Sequence, residues 1–537
     1  MAIIKQTDKR SGITYAYEAV YRWDKEKKQS RATRTIIGRV DDVTGEIIPT
    51  DGRMKKTKSQ PEKLPSKRGP KPSQRTKHLY YGATYLLEQI ADTLGLTKDL
   101  MQSFPDSYQQ ILSIAFYLIL EDNNPLYRFE KWNITHKHPY GEDITSPRSS
   151  ELFANITDDQ VNQMFRLQGK RRISEEYWAY DSSSISSYSE TLKQVQYGKN
   201  KENDRLPQLN LLLVFGEQSG LPFYYRKLAG NIPDSKTVTH LLEELDILGF
   251  NKTKFVMDRG FYSEININGL YKSHVKFLLG VRISLKFVKQ ALNDTYEDIR
   301  MFQNFMEEIN TYGLTVPIEW NYSQERPYKG DVIKDKRRMY LHLYYNIDKG
   351  ADDESIFDKR IATLFRELKE DNPIESHEKD YTKYFDVKRT PKRGVTVTPK
   401  DKAIREAKKY MGYFALISNE TMDATTALHL YRRKDVVEKA FGNIKERLNM
   451  RRLLVSSERS LDGKLFVEFV ALILISHLDQ KMRESQLYNK YSFSQLLDKL
   501  DVIECFEEPG KALRVGEILN AQKEIYEKLG VRVPASS

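Results

Sequence analysis

The sequence predicts a multidomain α/β protein built around one mixed β-sheet, and three observations support this prediction. The chain has 537 residues, which is too long for a single hydrophobic core. Between residues 177 and 283, strand-like and helix-like segments follow in the order three strands, helix, strand, helix, strand. A long interruption then precedes one more strand-like segment at 412–420 and a helical stretch. The interruption is too long for a loop and indicates an inserted subdomain.

The amino-acid composition indicates the kind of partner and excludes some kinds of site. Lys and Arg total 86 against 75 Asp and Glu, a formal net charge of +11. This balance favours a polyanionic partner, nucleic acid before membrane. Cys505 is the single cysteine, which excludes an intramolecular disulfide and a cysteine-built zinc site. The most apolar run, 465–478, is too short to span a bilayer, and no signal peptide is visible, so a cytoplasmic protein is expected.

The N-terminal residues 1–52 are predicted to form a small antiparallel β meander. Apolar and polar residues alternate at 13–23 and 31–40, with a polar turn between them. A short apolar segment at 47–49 is expected to add a third strand. A packing appendage is the alternative interpretation.

Residues 53–78 are rich in Lys, Arg, Pro and Ser and nearly free of apolar residues, which predicts a flexible basic linker. Within it, Lys67, Arg68 and Lys71 belong to the stretch KRGPKP, which resembles a hook for the minor groove of AT-rich DNA. A solvated linker is the alternative.

Residues 79–172 show helical periodicity, including a capping signal at the start of the third helix. Short helices followed by basic residues are typical of a DNA-reading domain of the helix-turn-helix kind. The core is predicted over 173–283 and 412–483, with the inserted subdomain at 284–411 between them. A helical region at 484–537 is expected to end the chain.

The strand order of the first core segment is typical of a ribonuclease-H-like sheet. Asp181 is expected at the end of its first strand and Asp258 at the end of a later one. Gly260 is expected to let the backbone turn sharply beside Asp258. For either acid alone, a turn-forming role is the alternative.

A helical stretch from Tyr431 to Lys445 carries the most informative spacing. At about 100° per residue, Tyr431, Lys434, Glu438 and Lys445 fall at roughly 0°, 300°, 340° and 320°, on one polar strip. A core-facing stripe lies beside it, formed by Val437, Ala440, Ile444 and Leu448. A carboxylate among amines suits a site that holds a metal beside a phosphate, and an ordinary surface helix with ion pairs is the alternative.

Three motifs in this order, YDSSS with Asp181, MDRGF with Asp258, and the helix with Glu438, give the chain a family resemblance. It resembles the DDE transposases of bacterial insertion sequences, in the branch with a Tyr-x2-Arg-x3-Glu-x6-Lys helix. Lys434 stands where that branch usually has Arg, so the charge is kept but the bidentate fork is lost.

The resemblance implies a two-metal site. Asp181, Asp258 and Glu438 would hold two Mg²⁺ ions, which Mn²⁺ can replace, because oxygen-only ligands favour hard cations. Asp181 would bridge both ions, and the other two acids would each complete one. The same site would cleave the ends of a mobile element and then join the freed 3′-hydroxyl to target DNA in a cut-and-paste reaction.

The resemblance also implies DNA contacts. Tyr431, Lys434 and Lys445 would hold backbone phosphates. Arg259 would contact DNA or form a structural salt bridge. Trp320 would stack on a flipped base or, as the alternative, pack in the core.

The implied partners are double-stranded DNA, as terminal inverted repeats and as target, and a second copy of the chain in a homodimer. The region before the core would bind the repeats, and the protein would act at the bacterial nucleoid. Two other functions stay open: a metal-dependent nuclease of the same fold that cleaves without joining, and a non-catalytic DNA-binding protein derived from a transposase.

Overall fold

The chain forms two compact units, Met1–Arg75 and Thr76–Ser537. The predicted hook residues Lys67, Arg68 and Lys71 lie outside the described residues. A computed structural model describes residues 2–24, 27–49, 76–121, 124–171, 176–189, 191–198, 205–250, 253–325, 330–390, 394–446, 448, 457–508 and 510–535.

The first unit is an antiparallel sheet in the strand order β1-β2-β3-β4. Its strands are β1 (Ala2–Thr7), β2 (Thr14–Asp24), β3 (Gln29–Val40) and β4 (Ile47–Pro49). The last three coincide with the segments that the sequence predicts. β1 was not predicted, because its residues are exposed except for half-buried Ile4 and show no clear alternation.

The second unit begins with a short strand and a layer of helices. These elements are β5 (Lys77–Tyr80), α1 (Gly82–Thr93), α2 (Leu96–Ser103), α3 (Tyr108–Leu120), α4 (Phe129–Thr135), α5 (Ser146–Asn155) and α6 (Asp158–Lys170). The capping box at the start of α6 is formed by Thr157 and Gln160, which exchange side-chain and backbone hydrogen bonds.

Strands and helices then alternate as the sequence predicts. The elements are β6 (Trp178–Ser186), β7 (Gln208–Gly216), β8 (Pro222–Ala229), α7 (Thr237–Ile247), β9 (Lys254–Met257), α8 (Glu264–Lys272) and β10 (Lys276–Val281). The apolar strands β7 and β10 are almost fully buried, which places them inside the sheet.

The interruption is divided between the sheet and a small separate core. Its elements are α9 (Lys286–Asp294), α10 (Tyr296–Ile299), β11 (Phe305–Met306), β12 (Thr311–Glu325), β13 (Val332–Asn346), α11 (Ile347–Lys369), α12 (Glu378–Tyr384), β14 (Phe385–Thr390), β15 (Gly394–Pro399) and α13 (Asp401–Lys408). Strands β11 to β13 extend the main sheet, whereas α11 to α13 with β14 and β15 surround their own apolar cluster.

The remaining elements return to the core and to the helical layer. They are β16 (Tyr413–Ser418), α14 (Ala424–Arg433), α15 (Asp435–Glu446), α16 (Glu458–Glu484), α17 (Phe493–Asp501), β17 (Glu504–Glu507), β18 (Arg514–Val515) and α18 (Asn520–Lys528). β17 pairs with β5, and α17 packs on α1, so both ends of this unit share one layer. Strands β17 and β18 were not predicted in the C-terminal region.

In the described part of the chain, the large sheet has nine strands in the order β11-β12-β13-β16-β10-β9-β6-β7-β8. β9 runs parallel to both of its neighbours, β6 and β10, and the other pairs are antiparallel. The prediction of a multidomain α/β protein with a mixed sheet is therefore confirmed. The six boundaries between the seven predicted segments stay a prediction.

Helix α16 contains the apolar run 465–478, is largely buried there, and packs on α3, α5 and β8. Taking only the residues that the structure describes, we find no helix with the length and apolar character needed to cross a bilayer.

Candidate active site

Asp181 lies in β6, and Asp258 directly follows the parallel neighbour β9, so the two acids lie side by side. Tyr180 of β6 is paired with Met257 of β9, and each aspartate is the next residue of its chain. Neighbouring strands are about 4.8 Å apart, and side chains alternate between faces, so both carboxylates start from the same face of the sheet. Folding thus unites two acids that the sequence could only propose separately.

Asp181 does not end its strand, which corrects the prediction. β6 continues through the serine-rich segment to Ser186, and Ser182, Ser183 and Ser184 pair with residues of β7. In the structure these serines are buried within the sheet.

Tyr431, in the last turn of α14, fastens this helix to the sheet. Its phenol donates a hydrogen bond of 2.6 Å to Oδ1 of Asp258. Burial alone would raise the pKa of Asp258. The hydrogen bonds from Tyr431 and the Arg259 N–H, with the charges of Lys434 and Arg259, outweigh burial and lower that pKa. Burial of the phenol and, next, the negative charge of Asp258 raise the pKa of Tyr431. The phenol therefore keeps its proton and donates the hydrogen bond.

The polar strip is carried by two consecutive helices, not by one continuous helix. α14 ends at Arg433, α15 begins at Asp435, and Lys434 forms the junction. The N–H of Lys434 donates to the carbonyl of Tyr431, three residues earlier, which tightens the backbone at this point. The core-facing stripe is confirmed for Val437, Ala440 and Leu448, which are buried.

Lys434 is the point where all three predicted acids meet electrostatically. The residue is only 8% exposed, and its Nζ lies 2.8 Å from Oε1 of Glu438. Burial would lower the pKa of Lys434. The hydrogen bond to Glu438 and the charges of Asp258, Glu438 and Asp181 outweigh burial and raise that pKa. One buried ammonium therefore interacts with carboxylates from β6, from the end of β9 and from α15.

Glu438 is the most accessible member of this group, with 58% of its side chain exposed. Among the described residues, no set of three or more His, Cys, Asp or Glu side chains is positioned to hold a metal ion. In this structure Glu438 is paired instead with the Lys434 ammonium.

Gly280 is a site residue that the sequence interpretation missed. It follows Leu279 of β10, which pairs with Met257, and so lies beside Asp258 on the far side from Asp181. A Cβ atom at position 280 would be 2.7 Å from the Tyr431 hydroxyl and 3.0 Å from the Arg259 nitrogen. The available signal was a glycine inside an apolar strand, which often marks a close approach.

Asp234 was also missed, and it supports the two aspartates from the opposite face. It accepts a hydrogen bond from the hydroxyl of Ser182, the residue after Asp181. A Cβ at Gly260 would lie 3.4 Å from its Oδ2, so the turn after Asp258 also packs on it. Asp234 therefore links the two segments that carry the acids.

The other predicted residues lie around this centre or away from it. Arg259 is exposed and opens the turn after Asp258, and Lys445 is half-buried in the last turn of α15. Trp320, in β12, is 9% exposed, and its indole N–H donates to Asn268 at 2.9 Å. The Trp320 ring is therefore packed, so stacking on a base would require its exposure.

Comparison with known proteins shows the family to which the chain belongs. A family model described as the transposase DDE domain matches residues 175–474, more than half of the chain and all three acids. No curated protein in the comparison matches the chain. A cryo-EM structure of the piggyBac transposase synaptic complex with hairpin DNA matches at 10% identity with a TM-score of 0.34, covering 78% of this chain and 76% of that chain. The chain belongs to the DDE transposases, a family that acts on DNA and generally uses divalent metal ions.

Proposed function

We propose that this transposase binds the terminal inverted repeats of its mobile element, cleaves the ends, and joins the 3′-hydroxyl to target DNA. Asp181, Asp258 and Glu438 are the catalytic acids of this cut-and-paste reaction. The observation that carries the proposal is the register of β6 and β9, which sets Asp181 beside Asp258, together with the Tyr431 hydrogen bond that brings the helix leading to Glu438 onto Asp258.

The donor set fits a hard divalent cation. The acids offer only oxygen ligands, two of them start from adjacent strand positions, and the third is on an accessible helix face. Mg²⁺, or Mn²⁺ in its place, is the ion that this chemistry favours. Asp181, Asp258 and Glu438 would hold these ions. When bound, the ions activate the attacking hydroxyl and stabilise the leaving oxygen.

The residues around the acids prepare them for this role. The Tyr431 hydrogen bond and the lowered pKa of Asp258 keep that carboxyl ionised at neutral pH. The segment β8-β7-β6-β9-β10, with β9 parallel to both neighbours, supports a ribonuclease-H-like core for this part of the chain.

We propose that DNA is contacted by the residues that the sequence predicts for this role. Lys445 and exposed Arg259 lie on segments that flank the acids and suit phosphate contacts. Tyr431 and Lys434 are engaged with Asp258 and Glu438 in the structure, so their phosphate contacts would form when DNA arrives. The helices of residues 79–172 and the basic linker would bind the repeats, and a homodimer would pair two ends.

The test is a cleavage and strand-transfer assay with the full chain, Mg²⁺, and DNA from the flanks of its gene. Changing Asp181, Asp258 or Glu438 to Ala should abolish both products and leave end binding intact. Glu243→Ala, an exposed acid on α7, is the matched control and should retain activity. Cleavage without strand transfer from pre-cleaved ends would favour the nuclease alternative. Undiminished cleavage in an Ala variant would remove that acid from the site.

A further inference from the structure

The Lys434 side chain occupies an unusual position for a lysine. It is held at the junction of α14 and α15 with 10% of its side chain exposed, and its Nζ lies 5.3 Å from the centre of the Tyr431 ring. Lysine is almost never buried without a partner, because desolvation of an ammonium is unfavourable. Its burial here is balanced by the negative charges of Asp181, Asp258 and Glu438.

The same contact constrains Glu438. One of its carboxylate oxygens accepts the Lys434 hydrogen bond at 2.8 Å, although most of the Glu438 side chain faces solvent. A divalent cation held by this carboxylate and by the aspartates would bring a second positive charge to the oxygen that the Lys434 ammonium now contacts, and like charges repel. Lys434 and a bound cation therefore compete for the same carboxylates.

We propose that Lys434 is the counter-ion of the acid cluster in the metal-free protein, and that it releases Glu438 when a divalent cation binds. This inference rests on the proposed function, because it assigns the metal to the same three acids. Lysine suits this role because its ammonium, carried on a flexible four-carbon chain, makes a single contact. It can therefore leave Glu438 without breaking a bidentate interaction of the kind that Arg forms. Lys434 is thus a positioning residue whose freed ammonium becomes available to DNA phosphate.

The first test uses the unaltered full chain and Mn²⁺ alone. Reductive methylation of lysines, read by peptide mass spectrometry, should be slow at Lys434 without metal and should accelerate as Mn²⁺ is added. Lys439, exposed on the same helix, is the internal control and should react at one rate throughout. An unchanged rate at Lys434 over a Mn²⁺ range that saturates the protein would overturn the inference.

The second test measures Mn²⁺ binding by calorimetry in Lys434→Met and in the control Lys439→Met. Removing the competing ammonium should tighten Mn²⁺ binding by about tenfold or more, while lowering the melting temperature in EDTA. The control should match the unaltered chain in both measurements. Equal Mn²⁺ affinity in all three proteins would contradict the inference about Lys434 and leave the proposed metal site standing. An absence of Mn²⁺ binding in the unaltered chain would contradict the proposed metal site as well.

If Lys434→Met does not fold, the labelling experiment still decides, because it needs no variant. Glu438→Gln adds a second measurement, since loss of that charge should raise labelling at Lys434 without metal. Labelling that stays slow in Glu438→Gln would mean that the helix junction, and not the carboxylate, holds Lys434, and would overturn the inference.

Discussion

Tyr431 donates a hydrogen bond of 2.6 Å to Asp258, and this contact joins the helix that leads to Glu438 to the strand pair that carries the two aspartates. It is a structural connection and an electrostatic one, because the same hydrogen bond lowers the pKa of Asp258. The Tyr431 phenol therefore helps to place the third acid relative to the first two, together with the packing of α14 on β9 and β10 and of α15 on β6 and β7.

Tyr431→Phe should reduce DNA cleavage by roughly ten- to a hundredfold, because hydrogen bonds to charged groups contribute about 1.5–3 kcal/mol. Initial rates of strand cleavage at saturating Mg²⁺ measure this. Tyr117→Phe, which removes a phenol bonded to the Pro125 carbonyl in the helical layer, is the matched control. Equal losses in the two variants would indicate general destabilisation and not a role in the site.

Gly280→Ala should disable the site through Tyr431. The added Cβ would be 2.7 Å from the Tyr431 hydroxyl, so the phenol must move away from Asp258. We expect a cleavage loss similar to that of Tyr431→Phe and a destabilisation of about 1–3 kcal/mol. Gly442→Ala in α15, where a Cβ meets nothing within 4 Å, should be tolerated. The double variant Gly280→Ala with Tyr431→Phe should lose little more than either single variant, and additive losses would contradict the shared mechanism.

Glu468, inside α16, should make stability depend on pH. The residue is 2% exposed, and burial raises its pKa to about 7, with Lys464 at 3.6 Å opposing the rise only in part. A carboxyl with a raised pKa in the folded state ionises first in the unfolded state, so stability falls as pH rises from about 4.5 to about 7.

Glu468→Gln should therefore raise the free energy of unfolding by about 1–2 kcal/mol at pH 8, and the gain should disappear near pH 4.5. Thermal or urea unfolding at the two pH values measures this. Glu484→Gln, on the exposed end of the same helix, should give no such gain. A gain from Glu468→Gln that is equal at both pH values would show that ionisation of Glu468 is not its cause.

Replacing Lys67, Arg68 and Lys71 with Ala should weaken DNA binding without abolishing cleavage of bound ends. If each contacts a phosphate, the slope of log affinity against log salt concentration should fall by roughly 2–3 units. Filter binding or anisotropy between low and moderate salt measures the slope. A matched triple replacement of exposed lysines elsewhere should leave it unchanged, the set being Lys499, Lys523 and Lys528. An unaltered slope after replacing the hook residues would assign them to a solvated linker.

The sequence predicted the residues of the site better than their arrangement. Motif order and the family resemblance proposed Asp181, Asp258, Glu438 and Tyr431, because residue type and order along the chain can be read directly from the sequence. The register that places Asp181 beside Asp258 depends on the pairing of β6 with β9, which no local pattern reveals.

Gly260 and Gly280 also show that contacts between distant parts of the chain could not be predicted from the sequence. Gly260 was expected to enable a sharp turn, yet its φ is not positive and a Cβ there would make only ordinary contact. Gly280 is the glycine that the site requires, because its neighbour is Tyr431, from a helix much later in the chain. The helix break at Lys434 was missed for another reason, since the residues around it have no glycine or proline to signal it.

The most direct measurement is a structure of the chain bound to its DNA ends with Mn²⁺, using ends that lack a 3′-hydroxyl. We expect carboxylate oxygens of Asp181, Asp258 and Glu438 all to ligate Mn²⁺ ions beside the scissile phosphate, at roughly 2.0–2.6 Å. We also expect Lys434 to have left Glu438. A complex in which Glu438 lies remote from the two aspartates would contradict the proposed site.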